Sequence, residues 1–342
     1  MTRGGGARYS PLRGYPTPAM TRQRLANGQV PDWTRTAAAG HAGGVTHIIR
    51  YLTDTDPGPV IGVRDADGVR PLDVPSLGSL LASPAAAIRE AVEDAVKTAP
   101  IQGQPALLPP ADGRMEIWAA GVTYHRSRDA RLEESGGADI YQRVYEADRP
   151  ELFFKSVPWR VVTDAEPIAI RRDSPLNVPE AELAIVVNAA AEIVGYTVCD
   201  DVSSRAIEGE NPLYLPQAKI YAGACALAPG IRPAWEVDAG DLAISMRVTR
   251  GDAVAWDGST RTSQLNRPLQ SLADWLFAEE HFPDGVIIST GTGIVPGMDF
   301  TLQPGDLVTI EIEEIGTLTN RVVAGKTELK WLGERASRVR SE

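Results

Sequence analysis

Four carboxylate side chains at the ends of two neighbouring apolar segments are the residues of this chain best suited to chemistry. Glu180 and Glu182 lead into a β-branched apolar run that is typical of a buried strand. Because side chains alternate faces along a strand, these two glutamates must point to the same side. Asp200 and Asp201 end the next predicted strand. Three or four carboxylates that meet at the end of a sheet repel one another unless a cation neutralises them. Their oxygen-only donor set predicts a hard divalent ion such as Mg²⁺.

A second interpretation is that Glu180 and Glu182 form the solvated face of an antiparallel strand, which is the commoner origin of an isolated Glu-x-Glu pair. A second acidic pair, Asp200 and Asp201, follows one hairpin later, and Arg205 and Lys219 come soon after it. This favours a functional site over a solvated strand face. Charges of both signs in an otherwise apolar segment are more typical of a functional site than of a surface. The pattern therefore favours a metal-dependent centre in this segment.

The composition is that of an acidic globular protein. The 342 residues are 43% hydrophobic and carry a net charge of −11, which argues against a nucleic-acid or acidic-membrane partner. No apolar run reaches the length of a membrane span, and the N-terminus lacks the apolar core of a signal peptide. Cys199 and Cys225 lie within or beside predicted strands, so we expect reduced core cysteines in a cytoplasmic protein.

The chain divides by composition into an arm and two domains, and its predicted fold class is α+β, mainly β. Residues 1–43 are rich in Gly, Arg, Thr and Ala without periodicity, which predicts a flexible arm. Residues 44–110 predict a small α+β domain of short strands and one helix, with Ser83 as its N-cap and Pro84 at its first position. After a Pro-rich linker, residues 115–342 form the larger predicted domain.

Glu151 is the candidate general base. It lies in the run 149–155, RPELFFK, beside three apolar residues. An acid in this position is either an ordinary strand-end charge or a desolvated base with a raised pKa. The charged segment 124–149 before it predicts two short helices, which are either solvated or form a lid over the site.

A Gly-rich loop in the second half of the chain is a candidate substrate contact. The strand 286–289 runs into Thr290-Gly291-Thr292-Gly293, whose N–H groups and threonine hydroxyls suit a carboxylate, although an ordinary tight turn has the same pattern. A helix predicted over 268–280 places its apolar residues on one face, as core packing requires.

These motifs together resemble the fumarylacetoacetate hydrolase superfamily over about residues 115–325. Within it, the segments 121–124, 149–155 and 207–219 resemble the branch of sugar-acid dehydratases that act on 2-keto-3-deoxy sugar acids such as 2-keto-3-deoxy-D-arabinonate. The superfamily resemblance is carried by Glu180, Glu182, Asp201, Ser203, Arg205, Lys219 and the loop 290–293.

The resemblance implies a mixed β-sandwich roll, a homodimer or homotetramer, and a small-molecule 2-keto acid as substrate. It implies Mg²⁺, with Mn²⁺ or Ca²⁺ as possible substitutes, held by Glu180, Glu182 and Asp201. Asp200 is then structural, since it points to the other side of its strand. It also implies that Lys219 is catalytic near the keto or enolate oxygen. The substrate-binding residues it implies are Arg205 and Thr292.

Two departures from the superfamily pattern bear on the reaction. The hydrolases carry a His and a Glu that activate water, and the corresponding positions here are Ser127 and Ala130, with His125 out of register. The acid that commonly follows the arginine is replaced by Ala206.

Three functions stay open on these residues. The leading one is a Mg²⁺-dependent hydro-lyase that dehydrates a 2-keto-3-deoxy sugar acid to a 2,5-dioxo acid, with Glu151 removing a C3 proton to form a metal-stabilised enolate. The second is a hydrolase or decarboxylase of an acylpyruvate-like 2-keto acid, and the third is a non-catalytic ligand-binding protein.

Overall fold

The computed structural model describes residues 45–53, 58–127 and 139–334. The arm predicted over residues 1–43 lies outside the described residues, and so do residues 128–138 of the charged segment for which a lid was one of two interpretations. Among the described helices, none combines the length and apolar composition needed to cross a membrane.

A large mixed sheet forms the centre of the fold. Its strands are β1 (His47–Leu52), β2 (Val60–Asp65), β3 (Gly68–Pro71), β4 (Ala106–Leu108), β5 (Glu116–Gly121), β6 (Glu151–Ser156), β9 (Ala181–Val187), β10 (Ile193–Asp201), β12 (Cys225–Leu227), β13 (Gly230–Pro233) and β16 (Val286–Ser289). The order in the described part of the sheet is β3-β2-β1-β13-β10-β9-β16-β5-β6, while β12 pairs with β10 and β4 with β1. β16 and β5 run parallel.

A second sheet packs against one face of the first. Its strands are β7 (Ile168–Ile170), β14 (Ala243–Arg250), β15 (Ala253–Arg261), β17 (Leu307–Ile312) and β18 (Gly316–Ala324), in the order β15-β14-β17-β18-β7. β8 (Asn177–Val178) and β11 (Ser203–Ser204) form a separate two-stranded ladder. The larger hydrophobic core joins Leu183 and Ile185 of β9 to Ile244 and Met246 of β14. This layered arrangement confirms the predicted sandwich of mixed sheets.

The described helices lie on the other face of the large sheet, beside the site and against the larger core. They are α1 (Leu77–Leu81), α2 (Ala85–Ala95), α3 (Asp139–Glu146), α4 (Arg205–Glu210), α5 (Leu215–Lys219) and α6 (Leu269–Phe277). Short 3₁₀ turns occur at Pro158–Arg160, Pro212–Tyr214, Ala234–Glu236, Ala239–Asp241, Thr262–Gln264 and Lys326–Leu329. A second core joins Ile88 and Val92 of α2 to Ala184 and Val186 of β9.

The predicted start of α2 was wrong by one residue. Pro84 is the N-cap in an extended conformation, and the helix begins at Ala85. The carboxylate that accepts the Ala85 N–H, at 2.8 Å, belongs to Glu192 rather than to a residue beside the helix. The helix N-terminus is therefore capped by a side chain that is distant in sequence, which the local pattern at Ser83 and Pro84 does not indicate.

The strands of the region 44–110 extend the large sheet, because β1 pairs with β13 at Ile48↔Ile231. The predicted domain boundary between this region and residues 115–342 stays a prediction. At the centre of the sheet, every residue of β9 is buried. The start of β9 lies beside the ends of β10 and β16, and beyond them the end of β5 lies beside the start of β6. One end of five neighbouring strands thus positions the site.

Candidate metal centre and active site

Glu180, Glu182 and Asp201 converge at this end of the sheet. One carboxylate oxygen from each residue lies within 4.8 Å of the others. Glu182 belongs to β9 and Asp201 ends β10, and the Asp201 N–H donates to the Glu180 carbonyl at 3.0 Å. The three residues are 7%, 2% and 1% exposed. This burial rules out the solvated-face interpretation of the two glutamates.

Glu182 is held by the end of β16 and the loop that follows it. Its Oε2 accepts the Ser289 hydroxyl and, at 2.8 Å, the Gly291 N–H. Burial, reinforced by the negative charges of Asp201 and Glu180, raises the pKa of Glu182 to about 8. The three carboxylates therefore need positive charge nearby to be ionised together at neutral pH.

Lys219 supplies part of that charge from the last position of α5. Its Nζ donates to Glu180 Oε2 at 2.7 Å, to Asp201 Oδ2 at 3.0 Å and to the Ser203 hydroxyl at 2.6 Å. The side chain is 2% exposed and lines the same pocket as the three carboxylates. Lys219 is thus a positive group at the centre of the site and not a surface lysine.

Lys155 is a second buried cation that the sequence analysis did not assign to the site. It forms an ion pair with Asp201 Oδ1, and its Nζ donates to the Lys219 carbonyl at 2.5 Å. Alternation along β6 does not give its position, because the β5–β6 ladder has a register shift here: Ile117 pairs with Ser156 and Trp118 with Phe154.

Asp200 lies behind the candidate ligands. It is fully buried, and its Oδ1 accepts the Glu180 N–H at 3.1 Å. Burial raises the pKa of Asp200 to about 8. Its role is consistent with the structural one expected from strand alternation, since it orients the backbone that carries Glu180.

Glu151 enters the pocket from the start of β6. The pocket is lined by Ala120, Gly121, Val122, Ser127, Glu151, Phe153, Glu180, Glu182, Asp201, Arg205, Leu215, Lys219, Gly291, Thr292 and Val295. The candidate base and the candidate metal ligands therefore face one cavity. Phe153 and Val295 contribute apolar wall, which favours exclusion of water from the reacting atoms.

The Gly-rich loop 290–293 does hold a carboxylate, but that carboxylate is Glu182 of the protein. The Thr292 hydroxyl donates to the Ala181 carbonyl at 2.8 Å and accepts the Ile294 N–H at 3.0 Å. Gly291 has φ of 88°, and a Cβ there would lie 2.0 Å from Thr123 Oγ1. Thr292 lines the pocket, yet its hydroxyl proton is already donated to the carbonyl of Ala181 in β9.

The remaining predicted residues fall in three groups. Arg205 is 3% exposed, lines the pocket and donates to the Pro296 carbonyl. Ser127 also lines it, but its hydroxyl bonds the Tyr124 carbonyl at 2.8 Å. His125 is exposed and packs edge-on against Tyr145. Ala130 lies outside the described residues.

The donor set fits a hard divalent cation. Three carboxylates from adjacent strands are buried within reach of one ion, and they supply only oxygen atoms. This group contains no thiol: Cys199 and Cys225 are free cysteines that belong to the second core. Glu180, Glu182 and Asp201 are therefore the residues that would hold Mg²⁺.

Comparisons with known proteins agree with this chemistry. The family model described as fumarylacetoacetate (FAA) hydrolase C-terminal matches residues 116–323. A "Probable 2-keto-3-deoxyxylonate dehydratase" of Haloferax volcanii is 50% identical over 208 residues, which is 60% of this chain and 72% of that protein. A "2-dehydro-3-deoxy-D-arabinonate dehydratase" of Saccharolobus solfataricus is 44% identical over 212 residues, covering 60% and 71%. A solved 2-keto-3-deoxy-D-arabinonate dehydratase, complexed with magnesium and 2,5-dioxopentanoate, superposes with a TM-score of 0.68 at 34% identity, covering 81% of this chain and 99% of that one.

Proposed function

The chain belongs to the fumarylacetoacetate hydrolase family, and we propose that it is a Mg²⁺-dependent hydro-lyase that dehydrates a 2-keto-3-deoxy sugar acid. The observation that carries the proposal is that one pocket holds both the carboxylate triad and Glu151. A 2-keto acid offers two oxygens to a cation and acidic protons on the adjacent carbon, so this pair of features matches its chemistry.

The residues around the cation bind and orient the substrate. When bound, Mg²⁺ polarises the 2-keto group and so acidifies the C3 protons. Glu180, Glu182 and Asp201 would hold it, and the Lys219 ammonium, which lies beside two of them, would stabilise negative charge that develops on the keto oxygen. Arg205 and Thr292 bind the acid group; because the Thr292 hydroxyl already bonds Ala181, its backbone N–H is the donor we assign.

Glu151 carries the proton transfers. It takes a proton from C3, the C3–C4 double bond forms, and the C4 hydroxyl leaves with a proton as water. For a five-carbon substrate, a C5–H proton then moves to C3 and the C5 hydroxyl proton moves to C4, so that the C3–C4 double bond is saturated and C5 becomes an aldehyde. The net change is the loss of one water, and the product is a 2,5-dioxo acid.

Hydrolysis is not supported by the residues that the structure describes at the water-activating positions. Ser127 replaces the histidine of the hydrolases and is engaged with the backbone of Tyr124. His125, the nearest imidazole in sequence, is exposed and does not line the pocket. The imidazole that activates water in the hydrolases is therefore lacking in the described part of the cavity.

The test is product identification. Purified protein with Mg²⁺ is incubated with the 2-keto-3-deoxy acids derived from arabinonate and xylonate, and separately with an acylpyruvate. The proposal requires loss of one water, with a mass and a reactive aldehyde that match 2,5-dioxopentanoate. Cleavage of the acylpyruvate to pyruvate and a free acid, with both sugar acids intact, establishes the hydrolase instead. Saturable binding without turnover of any substrate establishes a binding protein.

A cytoplasmic homodimer or homotetramer belongs to the same proposal. The free thiols of Cys199 and Cys225 suit a reducing compartment. The oligomeric state rests on the family resemblance, and light scattering coupled to size-exclusion chromatography measures it directly.

A further inference from the structure

Two buried lysines contact opposite oxygens of one candidate metal ligand. Lys155 pairs with Asp201 Oδ1 and Lys219 with Oδ2. The two lysine side chains are 0% and 2% exposed, and that of Asp201 is 1% exposed. Buried charges cost several kcal/mol each unless they are paired, so neither contact is incidental. The two lysines differ in what else they touch.

Lys219 contacts the ligand set itself. Besides Asp201 Oδ2 at 3.0 Å, its Nζ lies 2.7 Å from Glu180 Oε2. These are oxygens of two of the three residues that would hold the metal. A divalent ion bound to Glu180 and Asp201 therefore competes with this ammonium for the same carboxylates.

Lys155 approaches Asp201 from outside the cavity. Lys155 is not among the residues that line the described pocket, whereas Lys219 is. Asp201 Oδ1 accepts no hydrogen bond of good geometry from the described residues, so the Lys155 ammonium is the charge that faces it. The same ammonium donates to the carbonyl of Lys219, the last residue of α5.

We propose that Lys155 is a positioning residue for the metal centre. Its ion pair fixes the Asp201 carboxylate with Oδ2 on the side of Glu180, and its bond to the Lys219 carbonyl ties the end of α5 to the same carboxylate. Lys155 therefore strengthens metal binding, whereas Lys219 opposes it by sharing the ligand oxygens. The inference rests on the metal centre of the proposed function, but not on the reaction.

The two lysines thus have opposite predicted effects on metal affinity. Removal of Lys155 leaves a buried carboxylate without the partner that orients it, and loss of such supporting partners typically weakens metal binding roughly 10–100-fold. Removal of Lys219 deletes a competing cation, so affinity stays the same or increases. A non-specific loss of buried charge or packing predicts weaker binding for both variants.

Mn²⁺ binding to the full-length protein, measured by calorimetry without substrate, tests the inference. Lys155→Met should weaken binding roughly 10–100-fold, and Lys219→Met should not weaken it. Lys97→Met is the matched control, because this lysine is 70% exposed and pairs with Asp94 at the end of α2. Wild-type or tighter affinity in Lys155→Met, or weakened affinity in Lys219→Met, overturns the proposal.

Thermal melting in EDTA separates fold from positioning. A lysine that only supports the fold lowers Tm in EDTA while the Mn²⁺ affinity of the folded protein is unchanged. If Lys155→Met does not fold, Lys155→Gln replaces it, since it keeps an N–H donor for the Lys219 carbonyl and removes only the charge. Weak Mn²⁺ binding by that variant supports the proposal and wild-type binding overturns it. If wild type itself binds no Mn²⁺, the metal centre is wrong and the proposed function fails with it.

Discussion

The Glu151 carboxylate lies directly against the Cα of Gly121, so that a Cβ at Gly121 would be only 2.1 Å from Glu151 Oε2. The two residues are paired across β5 and β6. The missing side chain at position 121 leaves the space through which Glu151 reaches the cavity. Gly121 is therefore part of the geometry of the proposed base, although it has no functional group.

Gly121→Ala is expected to lower kcat with little change in Mn²⁺ affinity. The methyl group forces the Glu151 carboxylate aside, and a displacement of about 1 Å can cost about 100-fold in rate. Steady-state kinetics and calorimetry on the same preparation measure the two effects. Gly333→Ala is the control, because nothing lies within 4 Å of a Cβ there. Unchanged kcat in Gly121→Ala would show that the position of Glu151 does not matter to the reaction.

Glu151→Gln should lose roughly 10²–10⁴-fold in kcat, as expected for removal of a general base. Binding of Mn²⁺ and of substrate should persist, because Glu151 is not among the three candidate ligands. Kinetics with the 2-keto-3-deoxy acid gives the first quantity and calorimetry the second. Dehydration at the wild-type rate would move the proton transfer to another residue.

Exchange of the C3 hydrogen isolates the proton step from the elimination. A substrate analogue without the C4 hydroxyl cannot lose water, so in D₂O the wild-type enzyme should only incorporate deuterium at C3. Glu151→Gln should not do so. NMR of the analogue follows the exchange, and equal exchange by both proteins would contradict the assignment of Glu151.

Glu182→Gln should weaken Mn²⁺ binding by more than roughly 100-fold, beyond the usual effect of residues outside the ligand set. Chelation should abolish wild-type activity and Mg²⁺ should restore it, whereas Glu182→Gln should stay inactive at the same Mg²⁺ concentration. Glu311→Gln, on the exposed side of β17, is the matched control. Full activity of Glu182→Gln after exhaustive chelation would exclude this carboxylate from the metal centre.

The contribution of Glu182 to the free energy of unfolding should decrease as the pH rises. Burial raises the pKa of Glu182 from 4.5 to about 8, so the folded protein keeps a proton that the unfolded chain releases. This group therefore stabilises the fold fully below pH 4.5, and the contribution is lost as the pH rises through about 8. In EDTA, the Tm of wild type should fall across this window relative to that of Glu182→Gln.

Mg²⁺ should reverse that trend, because a metal ion binds the deprotonated carboxylate and its affinity rises with pH. Differential scanning fluorimetry from pH 5 to 8, with and without excess Mg²⁺, gives both profiles. Parallel wild-type and Glu182→Gln profiles in EDTA would show that Glu182 is ionised throughout.

The convergence of the three carboxylates was predictable because its geometry is local. Strand alternation places Glu180 and Glu182 on one face, and the hairpin to β10 brings Asp201 beside them. The sequence indicated Glu151 only as an acid at the edge of an apolar run, since its place in the pocket depends on β5 and β6 being neighbours. Only the family resemblance indicated that the three carboxylates and Glu151 belong to one site.

The contacts that were missed depend on pairing between distant segments. The loop at Gly291 meets Glu182, 109 residues earlier, because β16 lies beside β9. A carboxylate-binding loop was one of two interpretations there, the other being an ordinary tight turn, and the pattern does not say which carboxylate is bound. Lys155 reaches Asp201 only after β6 and α5 have packed together, which alternation within β6 does not encode.

The strand that carries Glu151 has fewer neighbouring strands than the strands that carry the candidate metal ligands. β6 is the last strand in the described order of the large sheet and pairs only with β5 there, whereas β9 has a partner on both sides. A substitution at Glu151, at the start of β6, therefore disturbs one ladder, whereas Lys155 near the other end of the strand contacts Asp201. The proposed base, Glu151, can change during evolution or by design while the three carboxylates that would bind the cation are retained. Substitution of this residue on the edge strand is thus a route to new reactions of 2-keto acids.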